Sequence, residues 1–367
     1  MIRFRKRAAV LTAAGVLAAA SVTGCGSSID TDAVVATVGG EEITLGVANF
    51  YARMTQGQYE TYYAGLMGMS ADTMWTQEAG EDTTYEDTIK ESLIQSLENL
   101  YVISQHAADY DVSLSEDEEE AITEAAEKFD ADNTDEAKET VSGYRKDVEK
   151  YLQLITISQK MDSKMREGVD ENVSDEEAAQ KSMQYVYLSY TATDEDGNSV
   201  ELTEEEQEEL KSTAQDLADR AAAGEDLEAL AEEAGVEVQT ATFDAESTSP
   251  NTDLIAAADA LEAEGNVTDP VETDNGIYVA KLTSLLDREA TDAEKTTIIE
   301  QRKQDQYDSL LEEWRDAADI KVDDKVWDKV DFEYTGVTII TGDEEDASDT
   351  TEENTSDENA SEDEAAE

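Results

Sequence analysis

The sequence predicts an α+β protein: a mainly helical domain built from the N- and C-terminal segments, a small β-α-α-β-α-β domain inserted between them, and an acidic, disordered tail. Three observations carry this. Apolar residues recur at helical spacing on both sides of a central stretch, and near residue 183 the period falls to two. Two Pro and 19 Gly argue for helices and against a β-sandwich. Residues 342–367 hold 13 acidic side chains, no basic one and no large apolar one. Such a segment buries too little surface to offset its ordering entropy, so its expected role is solvation or loose contact with divalent cations.

Charge narrows the function. The 367 residues carry 91 acidic and 26 basic side chains, a net charge of −65. Phosphate backbones are gripped by Lys and Arg, so a nucleic-acid partner is excluded. Docking on anionic lipid through a basic patch is disfavoured for the same reason. One Cys rules out an internal disulfide and Cys-rich zinc sites, and one His, His106, rules out sites needing two imidazoles. No metal and no cofactor is called for. Asp194–Glu205 fails as a calcium loop because its Gly stands at the wrong offset.

Residues 1–24 read as a leader. Arg3, Arg5, Lys6 and Arg7 precede an apolar run, Ala8–Ala20, too short for a comfortable membrane span. Val22-Thr23-Gly24-Cys25 resembles a bacterial lipobox, which implies lipid on Cys25 and cleavage before it. The alternative is an ordinary signal peptide with a chance Cys. The expected location is the extracytoplasmic face of the bacterial cell membrane, held by the Cys25 lipid.

Residues 25–172 form the expected N-terminal helical domain. A β-rich run with a Gly-Gly turn, 34–43, leads to Thr44, which caps a helix through Ala64. Ile89, Leu93, Leu97, Leu100 and Ala107 line one face of a helix over 85–110. Ser115 with Glu118, Ser174 with Glu177, Thr203 with Glu206 and Thr291 with Glu294 read as capping boxes. The longest helix is expected over 134–168, burying Val141, Tyr144, Val148, Tyr151, Leu152 and Ile155. Met54, Met67, Met69, Met74 and Trp75 are candidates for an adaptable client-binding surface, set against ordinary core packing.

The inserted domain is expected over 173–286. Met183–Tyr190 reads as a strand, and Asp196-Gly197 as a tight turn leading to Ser199–Leu202. Helices over 203–223 and 227–234 end at Gly224 and Gly235. A strand over 236–243, a short helix over 254–261 and an extended pair over 267–282, turning at Asn275-Gly276, complete it. Residues 287–333 hold a returning helix whose Tyr307, Leu310, Leu311 and Trp314 stripe must pack on the N-terminal helices. Residues 334–367 are the acidic tail.

The opening Val-Val-Ala-Thr-Val-Gly-Gly-Glu-Glu-Ile-Thr at 34–44 resembles that of PrsA-type foldase lipoproteins and SurA-type periplasmic chaperones. Ala223–Ala231, Leu254–Thr273 and Asp274–Leu282 resemble segments of the parvulin-type peptidyl-prolyl isomerase domain inserted in that family. The resemblance implies a chaperone or foldase whose partners are unfolded secreted polypeptides, and it leaves a homodimer open. It also implies a degenerate pocket formed by Val186, Tyr187, Leu254, Asp259 and Tyr278. Val186 and Tyr278 stand where the family pattern has His, and Leu254 and Asp259 where it has Phe. The Gly-rich loop of the family is replaced by Ala241-Thr242-Phe243-Asp244. No catalytic residue is assigned. Isomerase activity is therefore expected to be weak or lost; the alternatives are an active parvulin-type isomerase and a solute-binding lipoprotein with two parallel-sheet lobes.

Overall fold

The computed structural model describes residues 16–19, 29–63, 68, 70–80, 83–193, 197–332 and 337–340. The chain divides into two compact units, 1–167 with 306–367, and 168–305.

The first unit is mainly helical and draws on both ends of the chain. Strands β1 (Val34–Val38) and β2 (Glu41–Thr44) form a hairpin. Its Gly39-Gly40 turn takes the left-handed backbone that favours glycine. Thr44 caps α1 (Leu45–Gln58), accepting from the Val47 amide. Helix α2 (Tyr85–His106) follows, opened by a capping box between Thr84 and Asp87 that the sequence reading passed over. It buries Leu93, Leu97, Tyr101, Val102 and Ile103. Helix α3 (Glu116–Asp132) carries the expected Ser115–Glu118 box.

The single helix expected over 134–168 is two, α4 (Asp135–Val141) and α5 (Arg145–Met165). Ser142 turns left-handed, and a Cβ on Gly143 would stand 2.5 Å from the Phe129 ring. The chain breaks at this Ser-Gly pair, beside the Phe129 ring, and Tyr144 is left exposed at the start of α5, not on a buried face.

The second unit is built on an antiparallel sheet. Its elements are β3 (Lys181–Ser189), α6 (Glu204–Ala222), α7 (Leu227–Ala234), β4 (Val238–Phe243), α8 (Thr252–Asp259), β5 (Val271–Thr273) and β6 (Gly276–Ser284). The strand order is β5-β6-β3-β4. A hairpin of 191–193 with 199–201 projects from β3. The expected β-α-α-β-α-β order is present. Ser174 caps only a turn, where a helix was expected, and its hydroxyl accepts from the Glu177 amide.

Helix α9 (Arg288–Ala317) begins before the expected Thr291 because Asp287 accepts from the Ala290 amide. Thr291 is instead buried inside the helix, accepting from the Gln180 amide. In the first unit, Trp314 joins the large core with Leu97, Tyr101 and Ile103. Strand β7 (Lys321–Val322) then pairs with β1, giving the sheet order β7-β1-β2. Trp327, Val330 and Phe332 close the same core. Both chain ends thus build one domain.

Within the expected leader, Val16–Ala19 forms a strand paired antiparallel with Val337–Ile340, within the expected tail. Val337 is buried with Phe50 and Met54, so an apolar segment precedes the acidic run and finds a core to enter. Cys25 and 341–367 lie outside the described residues. Every strand pair among the described residues is antiparallel, unlike the parallel sheets expected of a solute-binding lipoprotein. Among the described residues no helix is long and apolar enough to cross a membrane.

Candidate functional site

The inserted sheet is buried on two faces, and the alternation of β3 and β6 decides what each face carries. Val186, Leu188, Ile277 and Val279 point to one side and pack under α6 and α7. Met183, Tyr185, Ala280 and Leu282 point to the other side and pack with Phe243 and α8. Tyr187 and Tyr278 continue this second face toward its open end, opposite each other in register. Their rings stack with centroids 4.5 Å apart and planes 28° from parallel.

Gly276 makes the stack fit. A Cβ there would lie 2.3 Å from the Leu188 carbonyl oxygen and 2.6 Å from the Tyr187 ring. The Tyr187 hydroxyl donates to the Asn275 carbonyl at 2.7 Å, which fixes the ring against the β5–β6 turn. Tyr185 donates to Gln239 at 2.6 Å. Burial, then the neighbouring Tyr187 and Tyr185, push the Tyr278 hydroxyl above its ordinary pKa, so it stays a neutral donor in physiological conditions.

These rings form one wall of a cavity of about 640 Å³. Pro250, Asn251 and Asp253 at the start of α8 form a second wall, and Glu272 to Asn275 of the β5–β6 turn a third. Asn251 holds the helix start in place, accepting from the Asp253 and Leu254 amides. No nucleophile–base pair lines the cavity. It offers aromatic faces for an apolar ring, a phenolic donor and carboxylates at the rim.

Of the five residues expected in the pocket, Tyr187 and Tyr278 line it. Val186 does not: it is fully buried under α6 and α7, on the opposite face of the sheet. The site-facing neighbour is Tyr185. Leu254 lies on the correct side but is fully buried on the sheet-facing side of α8. Asp259 is outside the cavity, paired with Lys181 at 2.9 Å. The other lining residues, Pro250, Asn251, Asp253, Glu272, Thr273, Asp274 and Asn275, were not among the expected pocket residues. A helix-capping Asn followed by Thr-Asp, and Asp before Asn-Gly, were the available signals.

The candidate client-binding residues of the first unit are corrected too. Met54 is buried with Phe50 and Phe129, and Met74 and Trp75 lie in the main core. The Trp75 ring packs 4.5 Å from Phe332 and its indole N–H donates to Glu60. These side chains fill space between helices, so they are not surface. Met67 and Met69 lie outside the described residues. Among the described residues no group of three or more His, Cys, Asp or Glu is arranged to hold a metal ion.

The model of the PPIC-type PPIASE domain family matches residues 192–296. The match begins after β3, the strand in which the family pattern places its first His. No curated protein matches the chain. Among solved structures, it is similar to foldase protein PrsA from Streptococcus pneumoniae, at 20% identity over 70% of this chain and 98% of that one, with a TM-score of 0.28. It is similar to PrsA from Lactococcus lactis, at 13% identity over 81% and 97%, with a TM-score of 0.33. It is also similar to PrsA from Bacillus subtilis, at 18% identity over 75% and 97%, with a TM-score of 0.22. Residues 192–296 of this chain are thus similar to a PPIC-type, parvulin-like domain.

Proposed function

We propose that this protein is a membrane-anchored extracytoplasmic foldase of the PrsA kind, a chaperone for secreted polypeptides whose parvulin-like domain holds prolyl segments with weak or no isomerase activity. One observation carries the weak-activity reading: the site face presents Tyr185, Tyr187 and Tyr278, and the only His of the chain is His106, outside this domain. The uncatalysed barrier to prolyl rotation is about 20 kcal/mol. Lowering it requires desolvation of the amide, a grip on the ring and a hydrogen bond to the twisted imide, with no covalent step. The stacked tyrosines supply a grip and the Tyr278 hydroxyl a donor, but no imidazole is present to assist.

The test has two arms on the purified, unlipidated chain. Aggregation of a chemically unfolded model protein is expected to be suppressed, and isomerisation of a prolyl tetrapeptide to run close to the buffer rate. Failure to delay aggregation removes the chaperone reading. Strong acceleration that is lost in Tyr278→Phe establishes the active-isomerase alternative. For the anchor, a Cys25→Ser chain is expected to leave the membrane fraction of a bacterial host.

A further inference from the structure

The cavity beside Tyr187 and Tyr278 has a charge pattern that a prolyl ring alone does not use. Three of its nine lining residues are carboxylates, Asp253, Glu272 and Asp274, and none is basic. Glu272 is already paired with Lys211 at 3.1 Å. Among the described residues, Asp253 and Asp274 have no basic partner, although they stand on two different walls, the first turn of α8 and the β5–β6 turn. The same cavity is lined by the Tyr187–Tyr278 stack, both rings partly exposed. An aromatic face attracts a cation through its quadrupole, and a flanking carboxylate reinforces this.

We propose that this cavity selects polypeptide segments with a Lys or Arg side chain beside the proline, with the cation seated against the Tyr187–Tyr278 wall between Asp253 and Asp274. The inference rests on the prolyl-holding reading above and adds its sequence preference. The long apolar stem of Lys or Arg suits an aromatic wall with a charged rim. A segment with Glu or phosphoserine at the same place meets only like charge.

A cation preference by itself proves little, because a chain with a net charge of −65 attracts any basic peptide. The cavity must be separated from that general field. Fluorescence anisotropy with the full chain would compare four labelled peptides of equal length, centred on Lys-Pro, Ala-Pro, Glu-Pro and Lys-Ala. The Lys-Pro peptide is expected to bind about tenfold more tightly than Glu-Pro. Asp253→Asn with Asp274→Asn removes only two of the 91 acidic charges and is expected to bring the two peptides within about twofold. If the double variant keeps the full preference, the general field is responsible and the proposal fails. Equal binding of Glu-Pro and Lys-Pro by the unaltered chain also overturns it, while binding of both leaves the prolyl-holding reading standing. Equal binding of Lys-Ala and Lys-Pro, or no binding of any peptide, removes the prolyl-holding reading and this inference together. Loss of aggregation suppression with the peptide preference intact removes the chaperone reading alone.

Discussion

The imidazole of His106 lies flat on the indole of Trp314, centroids 4.3 Å apart and planes 10° from parallel. Tyr110 meets the same indole edge-on at 5.8 Å, and Asp109 holds the imidazole Nδ1 at 3.1 Å. The end of α2 and the C-terminal part of α9 are joined there, 208 residues apart in sequence. Trp314→Ala is expected to cost about 3–5 kcal/mol, because it removes the largest apolar group at this junction. His106→Ala is expected to cost about 0.5–1.5 kcal/mol, the value of one aromatic contact. Urea denaturation of both variants and their double mutant measures the coupling. Strictly additive costs would mean that the stack contributes nothing.

About two turns earlier on α2, Glu98 is buried and its carboxylate accepts from the guanidinium of Arg315, the residue after Trp314, at 2.9 Å. Arg315 also donates to the Asn99 side chain. Removing one partner strands the other charge in a place water reaches poorly. Arg315→Ala is therefore expected to destabilise the first unit by about 2–4 kcal/mol. Arg315→Met with Glu98→Leu, which removes both charges and keeps the volume, is expected to restore most of the loss. A thermal melt in which the double replacement is no better than Arg315→Ala would refute this assignment of the cost.

The sequence made the helical stripes legible because each has one wet face, and Leu93, Leu97 and Trp314 are buried as their spacing demands. The β3 register was a different problem. Met-Gln-Tyr-Val-Tyr-Leu-Ser-Tyr is apolar or aromatic at both phases of a two-residue period, because α6 and α7 cover one face and α8 the other. With both faces buried, alternation cannot say which set faces the site, so it gave no check on Val186, which the resemblance to the family pattern alone had placed there. The break at Ser142 had a local signature, the turn dipeptide Ser142-Gly143, which the helical spacing on either side outweighed. The methionines failed likewise, since spacing alone does not tell a core methionine from a surface one.

Asp147 sits buried on α5 against the backbone of α1, where a Cβ on Gly46 would lie 2.6 Å from its carboxylate. One of its oxygens, Oδ2, has no hydrogen-bond partner. Burial pushes its pKa up from 3.8 to about 6, with the nearby Lys146 opposing and Asp32 assisting the rise. Between these values the folded chain binds more protons than the unfolded one, so this group lowers stability as pH rises. The penalty starts above pH 3.8 and is complete once pH passes about 6. Asp147→Asn is expected to stabilise the first unit at pH 7.5 by up to about 3 kcal/mol, and by much less at pH 4.5. Denaturation curves at the two pH values check this. An equal gain at both would mean that ionisation is not the cause.

Gly276 allows β6 to approach β3 closely enough for Tyr278 to stack on Tyr187. Gly276→Ala places a methyl group against the Leu188 carbonyl, a backbone atom that cannot rotate away, and against the Tyr187 ring. The strand ends must part, at an expected cost of about 1–3 kcal/mol. The consequence for the site should exceed the consequence for stability. The Tyr187–Asn275 hydrogen bond and the ring stack both depend on that approach, so the aromatic wall opens while the Val186, Ile277 and Val279 core beneath α6 and α7 persists. The measurement is a proton–carbon NMR spectrum of the tyrosine rings. Shifts confined to Tyr187 and Tyr278, with weakened binding of a prolyl peptide and unchanged methyl signals from Val186 and Val279, are the expected outcome. Unchanged ring signals would show that the strands tolerate a Cβ at this position.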